Sequence, residues 1–575
     1  MNMILHDFPT ANILSGNTLA APRFKDGEQL RTYDYVVANP PFSDKSWSSG
    51  LTPDDDPYQR FAWGEPPAKQ GDYAYLLHII RSMKSTAKAA CILPHGVLFR
   101  GNAEAVIRRQ LVLSGYLKGI IGLPANLFYG TGIPACILVL DKENAPARKG
   151  VFMIDAAKAF IKDGNKNRLR EQDIHCIVDT FTRQTDTPRY ARMVPVDEIA
   201  DAKNDFNLNL PRYIDSTEPE DLQDIEGHLR GGIPERDIDA LADYWKVLPA
   251  VRATLFEQER PGYVCLKLSI AEVKAAIFGH KEFTAFNQAA TGRFDAWRKA
   301  STPRLIGFDK DGHPKALIEA IAEDLLATFK HAPLLDAYDI YQHLMDYWAE
   351  TMQDDCYLIA ADGWVAKPAR ILETDKKGKA KDKGWACDLI PKPLIVARYF
   401  AKEQAAIEAK QAELEAVTAS LAELEEEHGG EEGCLGALDK IAKAEVTARL
   451  KELKGDKEAK DEIAVLKRWL ELAESETALK RVVKEQEAAL DRLAYEKYPE
   501  LSEVDIKALV VDDKWMTRLA ASVQGELDRV SQTLTRRIRE LAERYAVPLP
   551  KLTDDVEMLA ARVEEHLNKM GGSWK

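Results

Sequence analysis

The sequence predicts an α/β fold that passes into a mostly helical region and then into a long, coiled-coil-like C-terminal helical arm. Three observations carry this. Short β-rich runs alternate with helical patterns over the first ~215 residues, at Tyr33–Ala38, Tyr73–Ala87, Ala90–Leu93, Ala103–Ser114, Gly119–Leu123 and Cys136–Leu140. Helices of that length between strands imply a largely parallel sheet. Aromatic-rich, mostly helical segments fill the middle, and beyond Arg398 the apolar residues fall into heptads. The expected divisions are therefore 1–215, 216–397 and 398–575.

Each element has its own signal. The link Pro124–Pro134 is too short for a helical crossover, so the two strands flanking it are expected to form an antiparallel hairpin at the sheet edge. In the middle region a Lys-rich insert, Lys376 to Lys383, reads as a solvated hairpin loop in preference to a phosphate-contacting arm. In the arm, Ile407, Leu414, Val417, Leu421 and Leu424 follow a heptad seam broken at Lys410, and His428-Gly429-Gly430 ends that helix. Further seams run through Ile463/Leu466/Leu470, Leu479/Val482/Ala489/Leu493 and, after Pro499, Leu527/Val530/Leu534/Ile538/Leu541. A closing amphipathic helix carries Val556, Leu559, Val563 and Leu567. Periodicity leaves two readings of the arm open: a self-contained antiparallel hairpin, or an arm that docks a partner.

Composition narrows the function classes. The chain has 575 residues, 45% hydrophobic and 30% charged, an ordinary globular balance with apolar residues enough for more than one core. No run of ~18 apolar residues occurs, so no membrane span is expected. Seven scattered cysteines without a Cys-x-x-Cys pair fit reduced cytoplasmic thiols, with neither a disulfide framework nor a zinc site. The net charge is 78 − 92 = −14, whereas a chain gripping DNA over a broad face is usually basic. Any nucleic-acid contact should be local or supplied by a partner. The histidines lack metal-protease spacing, and no phosphate-binding Gly-x-x-x-x-Gly-Lys loop occurs. The triplet Asp54-Asp55-Asp56 reads as a solvated loop, and no metal site is expected.

The strongest chemical signal is Asn39-Pro40-Pro41-Phe42 directly after the strand Tyr33–Ala38. Chance would place this tetrapeptide in roughly a few per thousand chains of this length, and ligands of open α/β sheets sit at the carboxyl ends of strands. It resembles the Asn/Asp/Ser-Pro-Pro-aromatic turn of amino-group methyltransferases. An exocyclic amine is a poor nucleophile because its lone pair is delocalised into the ring. Acceptance of its two N–H bonds, by the Asn39 side-chain oxygen and the Pro40 carbonyl, would draw the nitrogen toward sp³ geometry. Consecutive prolines fix φ and remove competing donors. Phe42, beside Pro41, would stack on a base extruded from the duplex.

Further stretches extend the resemblance: Asp72-Tyr73-Ala74-Tyr75, Ile92 to Gly101, Ile107-Arg108-Arg109, Ile120 to Phe128, Thr131 to Pro134, and Leu140-Asp141-Lys142. Together they are similar to the modification subunit of type I restriction–modification systems, an adenine-N6 DNA methyltransferase. The match is dense over residues 1–215 and looser around Tyr341 to Trp348 and the helical tail. The resemblance implies a Rossmann-like methyltransferase sheet and S-adenosylmethionine as methyl donor. It also implies double-stranded DNA as substrate, and assembly of two modification subunits with a specificity subunit, joined by a restriction subunit in the full complex. The arm at 398–545 would be the docking element. Arg100, Arg108 and Arg109 read either as phosphate contacts or as surface charges.

One part of the family pattern is absent. The Gly-rich donor loop, Asp-Pro-x-Cys-Gly-Ser-Gly-Gly-Phe, and the acidic residue for the donor ribose do not occur in the chain. The expectation is an incomplete, N-terminally truncated domain that keeps the target-base half of the sheet, with exposed strand edges where its neighbours would pair. Ser15-Gly16-Asn17-Thr18-Leu19 matches the segment beside the donor adenine, so Asn17 is the one cofactor-binding candidate; it also reads as a turn cap. The alternative function is a catalytically incomplete structural subunit that assembles with a specificity subunit. A protein or RNA amino-group methyltransferase is a third, less favoured reading.

Overall fold

The computed structural model describes residues 3, 8, 11–217, 220–374, 380–430, 433–438, 440–454, 456 and 459–570. Contacts divide the chain into one unit of residues 1–234 with 545–575 and a second of residues 235–544.

The first unit is built on strands β1 (Tyr33–Ala38), β2 (Met83–Pro94), β3 (Leu117–Gly122), β4 (Ala135–Asp141), β5 (Gly150–Asp155) and β6 (Ala191–Pro195), with helices α1 (Asp72–Arg81), α2 (Ala103–Leu113) and α3 (Glu171–Arg183). The sheet order is β6-β5-β3-β4-β2-β1. The pairs β1/β2 and β3/β5 are parallel, and β2/β4, β4/β3 and β5/β6 are antiparallel. The open α/β sheet, the helical region and the long helices are the fold class expected.

Three details differ from expectation. The sheet is mixed rather than largely parallel, since the β3–β4 hairpin and the β5/β6 pair make three of its five pairings antiparallel. The β3–β4 hairpin is antiparallel as predicted, but it lies inside the sheet. β5 pairs along the other side of β3, and its run Gly-Val-Phe-Met-Ile-Asp is buried on both faces, so it shows no alternation by which a strand is read. The helix expected over Tyr73–Ala87 stops at Arg81, because Met83 to Ala89 already belong to β2. There, pairing of Tyr33 with Met83 and of Tyr35 with Lys88 overrides the helical propensity of the alanines.

Helix α1 buries Leu76, Leu77, Ile79 and Ile80 in a core shared with Leu93, Ile120, Leu138 and Leu140 of the sheet. Tyr73 donates its hydroxyl to the Val97 carbonyl at 2.8 Å, so this buried ring carries no unpaired donor. β1 is the outermost strand. Val36 and Ala38 pack toward the core, while Tyr35 and Val37 on the other face remain 76% and 82% exposed. The amphipathic helix α10 (Leu549–Lys569) also belongs to this unit, and its apolar residues Val556, Leu559 and Val563 are exposed.

The second unit contains α4 (Lys281–Ile306), α5 (Pro314–Phe329), α6 (Ala337–Tyr347), α7 (Ala401–His428), α8 (Lys460–Lys497) and α9 (Thr517–Arg544). Helices α7 and α8 pair antiparallel, since Gln411 meets Glu487, Thr418 meets Glu476, and Glu425 accepts from Trp469. Leu421 and Leu424 of the predicted seam pack on Leu466 and Trp469. The hairpin reading of the arm is thus the geometry observed. The α9 seam, Leu527, Val530, Leu534, Ile538 and Leu541, is entirely buried. Strands Ala369–Thr374 and Ala380–Ala386 pair antiparallel, so the end of the Lys-rich insert, from Ala380 to Lys383, is strand rather than loop, while residues 375–379, with Lys376, Lys377 and Lys379, lie outside the described residues. No helix among the described residues is long and apolar enough to cross a membrane.

Candidate active site

Strands β1, β2, β3 and β5 run in one direction, so Asn39, His95, Leu123 and Ala156 follow their carboxyl ends on one side of the sheet. The Asn39–Phe42 turn leaves β1 there. Asn39 and Pro41 are exposed, and Pro40 and Phe42 are half-buried. The Asn39 side chain makes no hydrogen bond to another described residue, which leaves its oxygen available as an acceptor. Asn39 and Pro40 line a cavity of about 380 Å³, together with Asn17, Phe24, Tyr75 and His78. Phe42 stands outside that lining. Its ring meets Phe128, from the β3–β4 link, edge-on at 5.7 Å between centroids.

The structure therefore gathers Asn17, Asn39 and Pro40 around one hollow and sets Phe42 beside it. The Asn17 Oδ1 accepts from the amides of Leu19 and Ala20, both at 2.9 Å, so this side chain caps the turn, and its NH₂ group makes no hydrogen bond to another described residue. Among the described residues, arginines 23 and 31 line the cavity and no carboxylate does. The described lining residues offer an amide donor that suits the aminopurine end of S-adenosylmethionine, and no acidic acceptor for its ribose hydroxyls.

Several polar residues here had no signal in the sequence. His78 faces the cavity, and burial, aided by the nearby Arg60 guanidinium, lowers its pKa to about 4. Arg60 Nη1 lies 3.2 Å from His78 Nδ1, which makes Nδ1 the acceptor and leaves the proton on Nε2. Arg60 is itself paired with Asp56 at 2.8 Å, both side chains buried. This corrects the solvated reading of the acidic triplet for its last member; Asp54 and Asp55 are exposed. Arg108 is buried and donates to the carbonyls of Phe206, Val97 and Arg100, so it is neither a phosphate contact nor a surface charge. Arg109 lies over the Phe206 ring at 4.9 Å. Arg100 is held by Asp72 at 2.7 Å and by Glu104 at 3.0 Å. Burial pushes the Glu104 carboxyl up to about 7, against the pull of Arg100.

Residues 1–222 match the family model described as N-6 DNA Methylase. Among curated relatives, the type I restriction enzyme MpnII methylase subunit of Mycoplasma pneumoniae is 31% identical over 260 residues, 43% of this chain and 45% of that one. The MjaVII methylase subunit of Methanocaldococcus jannaschii is 31% identical over 240 residues, 40% of each. The HindI methylase subunit of Haemophilus influenzae is 34% identical over 197 residues, 33% of this chain and 43% of that one. A solved type I restriction-modification methyltransferase subunit from Streptococcus thermophilus is 36% identical, covering 38% of this chain and 45% of that chain, with a TM-score of 0.34. The chain spans less than half the length of these relatives. The resemblance read from the motifs and the families returned by comparison agree.

Proposed function

We propose that this chain is a modification subunit of a type I restriction–modification system, and that its first unit presents the target adenine of double-stranded DNA for methylation at N6. One observation carries the reading: a Pro-Pro turn at the carboxyl end of a strand, with an uncommitted asparagine oxygen, opens on a cavity beside an aromatic ring. The Asn39 Oδ1 and the Pro40 carbonyl accept the two N–H bonds of the adenine amine and orient its lone pair. Phe42, braced edge-on by Phe128, stacks on the flipped base in place of its lost neighbours. His78, kept neutral by burial, adds no charge to the hollow. S-adenosylmethionine supplies the electrophilic methyl group, and in this chain only Asn17 offers it a side-chain contact by motif. A specificity subunit reads the DNA sequence, which accounts for the acidic net charge of −14. A second modification subunit and a restriction subunit complete the assembly.

The test is transfer of labelled methyl from S-adenosylmethionine to DNA by the chain together with its specificity subunit. Asn39→Ala should lower the rate by about 10²–10³-fold, the usual effect of removing one preorganised polar group; an unchanged rate removes Asn39 from its role. A second reading, a catalytically incomplete structural subunit that assembles with a specificity subunit, is favoured by the want of a carboxylate among the described residues that line the cavity. Calorimetry separates them: no heat with millimolar donor, for the chain with or without its partner, selects the structural role.

A further inference from the structure

Beyond the strand ladder, residues 39–42 make no hydrogen bonds to other described residues, and two of the four are prolines without an N–H. A turn so poor in its own bonds must be held from outside. The first bond after it is made by Ser43, whose backbone is left-handed at φ +51° and whose amide donates at 2.7 Å to Asp72 Oδ1. Asp72 is the first residue of α1, 29 positions along the chain, and its side chain is 0% exposed. Its other oxygen accepts from Arg100 Nη2 at 2.7 Å, and Arg100 is fixed in turn by Gln70 and Glu104. The same helix start grips the next residue as well. The Gly71 amide donates to the Asp44 carbonyl at 3.0 Å, and the Tyr75 hydroxyl donates to Asp44 Oδ2 at 2.9 Å. Gly71 has no room for a side chain, since a Cβ there would lie 2.6 Å from the Cβ of Trp47.

We propose that Asp72 is a positioning residue for the target-base turn: its buried carboxylate, steadied by Arg100, holds the Ser43 amide and thereby aims the acceptors of Asn39 and Pro40. The carboxylate is suited to this. It accepts from a backbone N–H and a guanidinium at once, both charge-assisted and short, and it sits where the α1 dipole favours negative charge. This rests on the reading given under Proposed function, but the contact itself can be tested independently of catalysis.

Two variants separate an acceptor role from mere packing. Asp72→Leu keeps the branched heavy-atom shape, with a somewhat larger volume, and removes both acceptors, while Arg100 retains Glu104 and Gln70, so no buried cation is stranded. Asp72→Asn keeps an oxygen for Ser43. Hydrogen exchange over residues 39–46 is a focused readout, because the two prolines carry no amide. Asp72→Leu should speed exchange at Ser43 by at least about tenfold, the scale of losing one bond to a charged group, and Asp72→Asn by less than about threefold. In the methyl-transfer assay with the specificity subunit, Asp72→Leu should lower kcat about tenfold or more with KM for DNA little changed, and Asp72→Asn should keep at least about a third of kcat. Unchanged exchange in Asp72→Leu overturns the proposal, as does faster exchange with full kcat, or equal losses in both variants. If the wild-type assembly transfers no methyl, the functional reading fails, and exchange at Ser43 still decides whether Asp72 holds the turn.

Discussion

Each unit of the molecule contains a buried carboxylate paired with a cation, and the two are finished differently. In the second unit Asp355 takes Lys514 Nζ on one oxygen and the Trp515 indole N–H on the other, both at 2.8 Å, while Lys514 also donates to the Leu389 carbonyl. Donors and acceptors match, and the network staples the π-helical turn Ala508–Met516 to helix Gln353–Asp362. In the first unit Asp72 is likewise satisfied, but its partner Arg100 is partly exposed, and the buried Glu104 has only the Arg100 ion pair at 3.0 Å to one of its oxygens. A closed network of this kind fixes a fold. One left open retains a group that titrates near neutrality and a backbone amide to steer.

The contrast can be broken most forcefully at the closed end. Lys514→Met leaves Asp355 buried and uncompensated and should cost about 3–5 kcal/mol in urea unfolding followed through the second unit. Next in size, Leu534→Ala in the fully buried α9 seam should cost about 2–4 kcal/mol by the same measurement. At the open end the effect is on pH dependence. Glu104 binds its proton more tightly folded, at about 7, than at its ordinary 4.5, so its contribution to stability is complete below about 4.5 and is lost as pH rises through about 7. Glu104→Gln should flatten that decline in melting temperature measured between those limits. The smallest effect belongs to the exposed stripe of α10, where Val556→Ser should change stability by less than about 0.5 kcal/mol.

What could be read in advance follows from how local each signal is. β1 and its Asn-Pro-Pro-Phe turn are contiguous and were legible, as were the end of α7 at His428 and the α9 seam. β5 was not, because a strand buried on both faces shows no period. The start of β2 was missed because its alanines follow tertiary pairing. The polar framework of the site was hidden for another reason. Asp72 reaches Ser43 and Arg100, and Arg60 reaches His78, across separations of 18 to 29 residues that no spacing rule connects. Arg108 shows the converse error, in which a charge on a helix looks solvated until its guanidinium is found among three carbonyls.

The outer rim of β1 has a practical corollary at the bench. Among the described residues β1 pairs with β2 alone, so its outer amides and carbonyls, with Tyr35 and Val37 exposed beside them, are a template on which a stray extended peptide, including one from a neighbouring molecule, can zip. Concentrating the purified chain should therefore favour such pairing, and dilution should suppress it.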